Sequence, residues 1–287
     1  MAYGAPNSIE GIKDYYTDIR GGVAPSVEHI GDLVKRYEAI GGVSPLYKIT
    51  VDQAEGLQKA LGSRSVVYFG MKHSRPFIKD AVGKSADEGV DELLCIAIAP
   101  HYSITGTGSY ISRVKDANTA LGNRIRTVFV NSWHLNRNLI EFWSRSILKA
   151  SVGMKKPFIV FSAHSLPEKA ESTGPYKGQL LETSAAVAEK AGITDWGLAF
   201  QSQSSRGEKW YGPTIPELIE ANMEEDRSFV IAPIGFVSDN LEILYDIDIV
   251  CRRWAEDKKI VMNRADMPNN SALLIAALDD IAKDNGL

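Results

Sequence analysis

Six short apolar runs determine the fold class of this chain. Each run is followed by a polar cluster and then by a segment with a helical pattern, and the runs lie at residues 66–69, 93–99, 127–130, 158–161, 196–200 and 229–234. Apolar runs of this length without alternation are typical of strands that are buried on both faces. Because strands alternate with helices, the strands should be parallel and joined by right-handed crossovers. The sequence therefore predicts an α/β fold.

The alternation of strands and helices occurs in two similar halves that meet near Gly153. A chain of 287 residues is long enough for two domains. We predict two similar doubly wound, Rossmann-like parallel-sheet domains, residues 1–152 and 153–287, that face each other across a cleft. The last predicted helix, at about residues 270–284, is free to pack back on the first domain.

The composition is that of an ordinary soluble protein, with a formal net charge of -4 and a pI near 5.8. This charge gives no reason to expect nucleic acid as a partner. No apolar run reaches the roughly eighteen residues of a membrane span, and the N-terminus lacks the pattern of a secretory signal. Cys95 and Cys251 lie far apart in the sequence, so neither a disulfide framework nor a cysteine metal cluster is indicated. We expect a cytoplasmic protein without stable membrane insertion.

His164 is the first candidate for chemistry, because it follows the apolar run at residues 158–161 within Ser-Ala-His-Ser. In a parallel sheet, the ligand crevice opens outside the carboxyl ends of the strands. The three preceding runs also carry a histidine just past their ends, namely His73, His101 and His134. A lone histidine has a simpler explanation as a core or loop residue, so its partners decide the interpretation.

Two carboxylates on the helical segment after Phe236 supply such partners. Glu242 and Asp246 are four residues apart and should share one helical face near the strand ends. A solvated acidic face is the alternative explanation. Together with His164, however, Glu242 would form an imidazole–carboxylate pair that can hold a divalent metal or pass a proton.

Two familiar nucleotide-binding patterns are incomplete in this sequence. Residues 83–85, Gly-Lys-Ser, resemble the end of a phosphate-binding loop, but the glycine position five residues earlier holds Ile78. Residues 106–108, Gly-Thr-Gly, begin like a dinucleotide fingerprint, but the third glycine position holds Ile111. A phosphate-handling α/β enzyme stays an alternative without an intact loop to support it.

An ordered series of motifs resembles the ferrochelatase family, in its short bacterial form that makes coproporphyrin haem. The motifs span nearly the whole chain and are Ala-Tyr-Gly at 2–4, Tyr-Tyr-Thr-Asp-Ile-Arg at 15–20, Arg-Tyr-Glu-Ala-Ile-Gly-Gly-Val-Ser-Pro-Leu at 36–46, Ala-Pro-His at 99–101, Ser-Ala-His-Ser-Leu-Pro at 162–167 and Gly-Phe-Val-Ser-Asp-Asn-Leu-Glu-Ile-Leu-Tyr-Asp at 235–246. The resemblance implies a chelatase-like fold and a lyase that inserts Fe²⁺ into a porphyrin with release of two protons. Coproporphyrin III is the favoured substrate, with protoporphyrin IX as the other candidate.

The resemblance also implies roles for individual residues. His164 and Glu242 correspond to the catalytic pair, which also contacts the metal, and Asp246 corresponds to a further metal-side carboxylate. Tyr3 corresponds to the residue on the other face of the porphyrin, axial to the iron of the product haem. Family positions that hold the propionates and rim of the porphyrin match Arg20, Arg36, Tyr37, Ser44 and Tyr110, and two further cleft positions match His73 and Trp210.

The chain departs from the family pattern at several positions. Family members typically carry a short apolar strand before Ala-Tyr-Gly, whereas here this motif opens the sequence, so we expect Tyr3 to be a frayed terminal residue. Ala5 and Asn240 stand where the family often has threonine and histidine. Val250 stands where the family often has a third acidic residue, so an acidic metal path along the helix would end at Asp246.

The resemblance implies few cofactors and partners. Fe²⁺ enters as a substrate, and neither a prosthetic group nor an iron–sulfur cluster is expected. The expected partners are a porphyrin and ferrous iron, and we predict a monomer. Two alternatives stay open, a cobalt or nickel tetrapyrrole chelatase on the same fold and a non-catalytic haem or porphyrin carrier.

Overall fold

Parallel strands and helices alternate along the chain in the computed structural model, which describes residues 1–63, 65–203 and 208–287. The helices are α1 Ile12–Ile19, α2 Val27–Ala39, α3 Leu46–Leu61, α4 Ile78–Asp87, α5 Thr107–Ala120, α6 Arg137–Ala150, α7 Tyr176–Ala191, α8 Ile215–Ala221, α9 Arg252–Asp257 and α10 Ala272–Asp284. The strands are β1 Glu92–Ile96, β2 Arg126–Val130, β3 Pro157–His164, β4 Trp196–Gln201, β5 Ser228–Ala232 and β6 Met262–Arg264. A π-helix, Glu242–Cys251, leads directly into α9. The predicted α/β fold with parallel sheets is confirmed.

Strand β3 is central in the larger sheet, whose strand order is β4-β3-β5-β6 with parallel pairing. The chain therefore leaves β3 toward β4 on one side and later adds β5 on the other side. Such a change of direction opens a crevice outside the carboxyl ends of the strands, where ligands bind in doubly wound sheets. Because β3 ends at His164, this histidine lies at the switch point of the sheet.

The body of β3 is almost fully buried, because α6, α7 and α8 pack on the larger sheet. Ile159, Val160 and Phe161 are at most 1% exposed, and Trp143 on α6 is fully buried in the same core. Burying a side chain of this size stabilises the fold by roughly 1.5–3 kcal/mol. The apolar run is therefore a rigid base for the polar residues at its end.

The smaller sheet pairs β1 with β2, and the N-terminal residues bind to a segment beside it. The backbone N–H of Ala2 donates to the carbonyl oxygen of Gly70 at 3.1 Å. The backbone N–H of His73 donates to the carbonyl oxygen of Tyr3 at 3.0 Å. The expectation that Tyr3 is a frayed terminal residue is therefore wrong, because its backbone is hydrogen-bonded to a neighbouring segment.

The predicted strand at residues 66–69 is also wrong. These residues line an apolar groove of about 490 Å³, which residues of β1 also line. The side chain of Gln58 binds this segment instead, because its Oε1 accepts from the N–H of Val67 at 2.8 Å and its Nε2 donates to the carbonyl oxygen of Ser65 at 3.0 Å. An apolar run of this length therefore indicates neither full burial nor a partner strand, and Val66 is 65% exposed.

The last helix, α10, packs against both α3 and α6. Gln53 on α3 also binds the segments before α10 and after β5, because its Nε2 donates to the carbonyl oxygen of Asn269 at 2.7 Å and to Oγ of Ser238 at 2.9 Å. Helix α10, which belongs to the second half of the chain, therefore packs on two helices of the first half. The division into domains 1–152 and 153–287 stays a prediction.

One further element was not predicted. Strand β6 has three residues, which are too few to form a hydrophobic pattern in the sequence. Among the helices of the described residues, none is long and apolar enough to cross a membrane.

Candidate active site

A cavity of about 1230 Å³ opens beside the carboxyl end of β3. Tyr3 and Arg36 line it from the first half of the chain, and the second half contributes His164, Glu242 and Asp246. Small-molecule pockets typically have volumes of roughly 300–1000 Å³ and are mostly apolar with a few polar groups. The cavity can therefore take a large ligand, and it brings most of the predicted site residues together.

His164 and Glu242 form a hydrogen-bonded pair in the wall of this cavity. Nδ1 of His164 lies 2.7 Å from Oε2 of Glu242, and the two side chains are 36% and 35% exposed. The end of β3 holds the histidine, and Glu242 is the first residue of the π-helix. The Tyr176 hydroxyl donates to the carbonyl oxygen of His164 at 3.0 Å, which fixes the backbone there. Because Nδ1 is engaged by Glu242, Nε2 is the ring nitrogen left for a ligand.

The two partners shift each other's pKa in opposite directions. Burial alone would lower the pKa of His164, but the charge and hydrogen bond of Glu242, with the charge of Asp246, raise it above the usual 6.5. Burial alone would raise the pKa of Glu242, but His164, the Ser202 hydroxyl and Arg36 lower it below the usual 4.5. Between these two pH values the pair is an imidazolium beside a carboxylate.

An NMR titration of the imidazole nitrogens checks this pair. We expect the pKa of His164 to exceed 6.5 in the ligand-free protein and to fall in Glu242→Gln, because burial persists while the carboxylate charge is lost. The pair should stabilise the fold fully between about pH 4.5 and 6.5. This stabilisation is lost as the pH rises through the folded pKa of His164 or falls through that of Glu242. The same His164 pKa in both proteins would contradict the pairing.

Asp246 shares the hydroxyl group of Ser202 with Glu242. Oγ of Ser202 lies 3.1 Å from Oε2 of Glu242 and 2.6 Å from Oδ2 of Asp246. The helix that carries both carboxylates is a π-helix rather than the ordinary helix that the spacing suggested, and π-helical segments are frequent at functional sites. Burial, together with the charge of Glu242, raises the pKa of Asp246 despite this hydroxyl. The two carboxylates therefore differ in how readily they take up a proton.

Sequence reasoning did not identify Ser202 as a site residue. Its backbone φ is +59°, in the left-handed region that serine rarely adopts. Such conformations cost about 1–3 kcal/mol and cluster at functional sites. The available signal was the polar run after β4, of which residues 204 and 205 lie outside the described residues.

Tyr3 faces the cavity from the first half of the chain. Its side chain is 42% exposed, and its ring centroid lies 4.7 Å from that of His73 in an edge-to-face arrangement. Burial, followed by the negative charge of Glu242, raises the pKa of Tyr3 to about 12. Tyr3 is therefore a neutral phenol at physiological pH.

His73 lies behind Tyr3 and is itself buried. Its Nδ1 is 2.7 Å from Oδ2 of Asp18, and Nη2 of Arg113 is 3.6 Å from the same oxygen. Burial lowers the pKa of His73 even though Asp18 opposes this effect. The structure thus gives His73 a contact with Tyr3, while its contact with a porphyrin stays a prediction.

The other predicted porphyrin contacts divide into two groups. The cavity is lined by Arg36, Tyr37, Ser44 and Tyr110. Arg20, at the end of α1, instead lies 5.9 Å from the ring centroid of Tyr16. Trp210 forms an isolated bridge with Pro167, and its Nε1 is buried without a hydrogen-bond partner in the described part of the chain. The structure therefore does not bring Arg20 and Trp210 to the cavity wall.

Lys72, His101 and Tyr176 also line the cavity, although they were not among the predicted site residues. Burial, with a smaller effect of His134, lowers the pKa of His101 to about 3, so this ring is neutral. Two of these residues could have been identified from their positions in the sequence, because Lys72 directly precedes His73 and His101 ends the motif Ala-Pro-His.

The donor atoms of the pair suit a divalent metal. One imidazole nitrogen and one carboxylate are ligands that first-row divalent ions accept. Asp246 and Tyr3, the further predicted metal-side residues, line the same cavity. Within residues 1–63, 65–203 and 208–287, no group of three or more His, Cys, Asp or Glu side chains is arranged to hold a metal ion.

Known proteins match this sequence over nearly its whole length. A sequence model of the family described as Ferrochelatase matches residues 1–285. The chain is 40% identical over 291 residues to the coproporphyrin III ferrochelatase of Geobacillus sp. (strain WCH70), with 97% of this chain and 94% of the relative covered. It is 39% identical over 291 residues to that of Listeria monocytogenes serotype 4b (strain F2365), again with 97% and 94% covered.

Solved structures share the fold at low sequence identity. SirB from Bacillus subtilis with Fe³⁺ gives a TM-score of 0.64 at 10% identity and covers 83% of this chain and 88% of its own. CbiX, the terminal enzyme for biosynthesis of sirohaem in denitrifying bacteria, gives a TM-score of 0.54 at 12% identity, with 85% and 94% covered. These two likenesses support the chelatase-like fold alone. The family match over residues 1–285 and the two relatives, each matched over 94% of its length, show that the chain belongs to the ferrochelatase family.

Proposed function

We propose that this protein inserts Fe²⁺ into a porphyrin and releases two protons in haem biosynthesis, with coproporphyrin III preferred over protoporphyrin IX. The observation that carries the proposal is the His164–Glu242 pair, 2.7 Å apart, in a cavity that Tyr3 also lines. The relatives from Geobacillus and Listeria are named coproporphyrin III ferrochelatases, which supports both the metal and the porphyrin.

The pair supplies what metal insertion needs, because insertion exchanges two pyrrole N–H protons for one Fe²⁺. In its neutral form, Nε2 of His164 can bind the ion or accept a pyrrole proton, and Glu242 compensates the imidazolium charge that results. The raised pKa of His164 makes it a stronger base than an ordinary histidine. Proton transfer by a positioned side chain typically contributes about 10²- to 10⁴-fold to a rate.

The remaining metal-side residues extend this arrangement. We assign Tyr3, a neutral phenol, to the other face of the porphyrin, where it would contact the iron of the product haem. Asp246, joined to Glu242 through Ser202, continues the acidic wall outward. Val250 has 49% of its surface exposed and carries no charge, so the acidic path ends at Asp246.

The porphyrin rim is assigned to the polar and aromatic lining of the cavity. Propionate carboxylates suit guanidinium and hydroxyl donors. We assign these contacts to Arg36, Tyr37, Ser44 and Tyr110, which line the cavity. Arg20, His73 and Trp210 stay predicted outer contacts.

Anaerobic incubation of the purified protein with Fe²⁺ and each porphyrin, followed by absorbance, tests this function. We expect metalloporphyrin to form well above the uncatalysed rate, and faster with coproporphyrin III. Competition by Co²⁺ or Ni²⁺ identifies a cobalt or nickel chelatase if either ion is strongly preferred. Tight porphyrin binding without turnover would indicate a carrier, and no product above the uncatalysed rate with either porphyrin would refute the proposal.

We also propose a monomeric, cytoplasmic enzyme that uses Fe²⁺ only as a substrate, without a prosthetic group or an iron–sulfur cluster. The absence of a cluster is supported by the two cysteines of the sequence, Cys95 and Cys251, which are both buried, since iron–sulfur clusters are typically held by four cysteines. The net charge of -4 supports the absence of a nucleic-acid partner.

A further inference from the structure

Lys72 stands in the cavity wall as a cation held by aromatic rings. Its Nζ lies 5.7 Å from the ring centroid of Tyr3 and 5.6 Å from that of Tyr110, within the range of cation–π attraction. Its backbone N–H donates to the carbonyl oxygen of Ala2 at 2.9 Å, which fixes the chain at this point. The ammonium is therefore positioned by its neighbours rather than swinging freely in solvent.

The charges around Lys72 leave one positive charge without compensation. Burial, followed by the positive charge of Arg113, lowers the pKa of Lys72, whereas the negative charge of Asp18 opposes this shift. Asp18 is already bound by Nδ1 of His73 at 2.7 Å and lies 3.6 Å from Nη2 of Arg113. Two cations thus share one carboxylate, and this wall favours an anionic ligand.

Within the described residues, one lysine and one arginine line the cavity, namely Lys72 and Arg36. Different elements hold them. The guanidinium of Arg36 lies 5.4 Å from the ring centroid of Tyr245 on the π-helix, whereas Lys72 is held by Tyr3 and Tyr110. The two cations therefore mark two separate places where a ligand can present a carboxylate.

We propose that Lys72 binds a propionate that coproporphyrin III carries and protoporphyrin IX lacks, and that it thereby determines the preference for a four-carboxylate porphyrin. Coproporphyrin III has four propionates, whereas protoporphyrin IX has vinyl groups in place of two of them. A porphyrin with carboxylates along one edge engages Arg36 alone, and one with four engages both cations. This inference takes its ligand class from the proposed function but does not depend on catalysis.

Porphyrin binding without iron, measured by quenching of tryptophan fluorescence, tests this role. Lys72→Met keeps the length of the side chain and removes its charge, and it should weaken coproporphyrin III binding about tenfold, or about 1.4 kcal/mol, as expected for one charge-assisted hydrogen bond. Protoporphyrin IX binding should change by less than about twofold, and Lys72→Arg should keep the preference. Lys79→Met is the matched control, because Nζ of Lys79 lies 5.7 Å from the Phe77 ring and does not line the cavity.

An equal loss for both porphyrins, or no loss for coproporphyrin III, would overturn the role of Lys72. Thermal unfolding of each variant checks that it is folded, and Lys72→Gln replaces Lys72→Met if the methionine variant is not. Iron insertion by the wild-type protein separates the two proposals. Insertion without any selective effect of Lys72→Met overturns Lys72 alone, whereas selective binding without insertion overturns the proposed function alone.

Discussion

Replacing Glu242 by glutamine should lower kcat for iron insertion by about 100- to 1000-fold while changing the porphyrin Kd by less than about twofold. Glutamine keeps the size of the side chain and a hydrogen bond to Nδ1 of His164, which lies 2.7 Å from Oε2 of the glutamate. It removes the negative charge that raises the pKa of His164 and compensates the imidazolium. Steady-state anaerobic assays give kcat, and fluorescence quenching gives the porphyrin Kd.

A matched control separates this effect from a general loss of acidic charge. Glu256 is exposed on α9 and does not line the cavity, so Glu256→Gln should retain full activity. Two results would count against the assigned role of Glu242. One is a kcat within about fivefold of wild type, and the other is a loss of porphyrin binding as large as the loss of kcat.

Replacing Arg36 by methionine should weaken the binding of both porphyrins by about 10- to 100-fold with little change in kcat at saturation. The guanidinium lines the cavity at 5.4 Å from the Tyr245 ring centroid, and in the described part of the chain no carboxylate forms an ion pair with it. We therefore expect its carboxylate partner to be a propionate of the ligand, one that both porphyrins carry. The Kd of each porphyrin, measured without iron, gives the effect.

The control for Arg36 is Arg253→Met, because Arg253 is exposed on α9 away from the cavity and should leave both Kd values unchanged. Arg36 also contributes, as the smallest of the named causes, to the lowered pKa of Glu242. A variant with normal Kd values and a strongly reduced kcat would mean that Arg36 acts on the catalytic pair and not on the propionate.

The polar end of β3 could be predicted because strand burial leaves a clear trace in the sequence. Four consecutive apolar residues at 158–161 indicated a strand buried on both faces, and the parallel topology then placed His164 at the edge where ligands bind. The spacing of Glu242 and Asp246 indicated one shared helical face, and the structure joins both carboxylates to Ser202. Local pattern and chain order were sufficient for these features.

Other features could not be predicted because they depend on contacts between distant residues. An α-helix and a π-helix have similar apolar patterns, so the sequence did not reveal the π-helix that carries Glu242. The positive φ of Ser202 depends on the surrounding structure, since no glycine marks this turn. The position of Lys72 follows from the rings of Tyr3 and Tyr110, which lie far from each other in the sequence.

A crystal structure of the protein with bound coproporphyrin III would test the proposed site most directly. We predict that the macrocycle lies in the cavity with Tyr3 on one face and His164 and Glu242 on the other. One propionate should contact Arg36 and another should contact Lys72. A porphyrin bound outside this cavity, or bound with Tyr3 and His164 on the same face, would contradict the proposed mechanism.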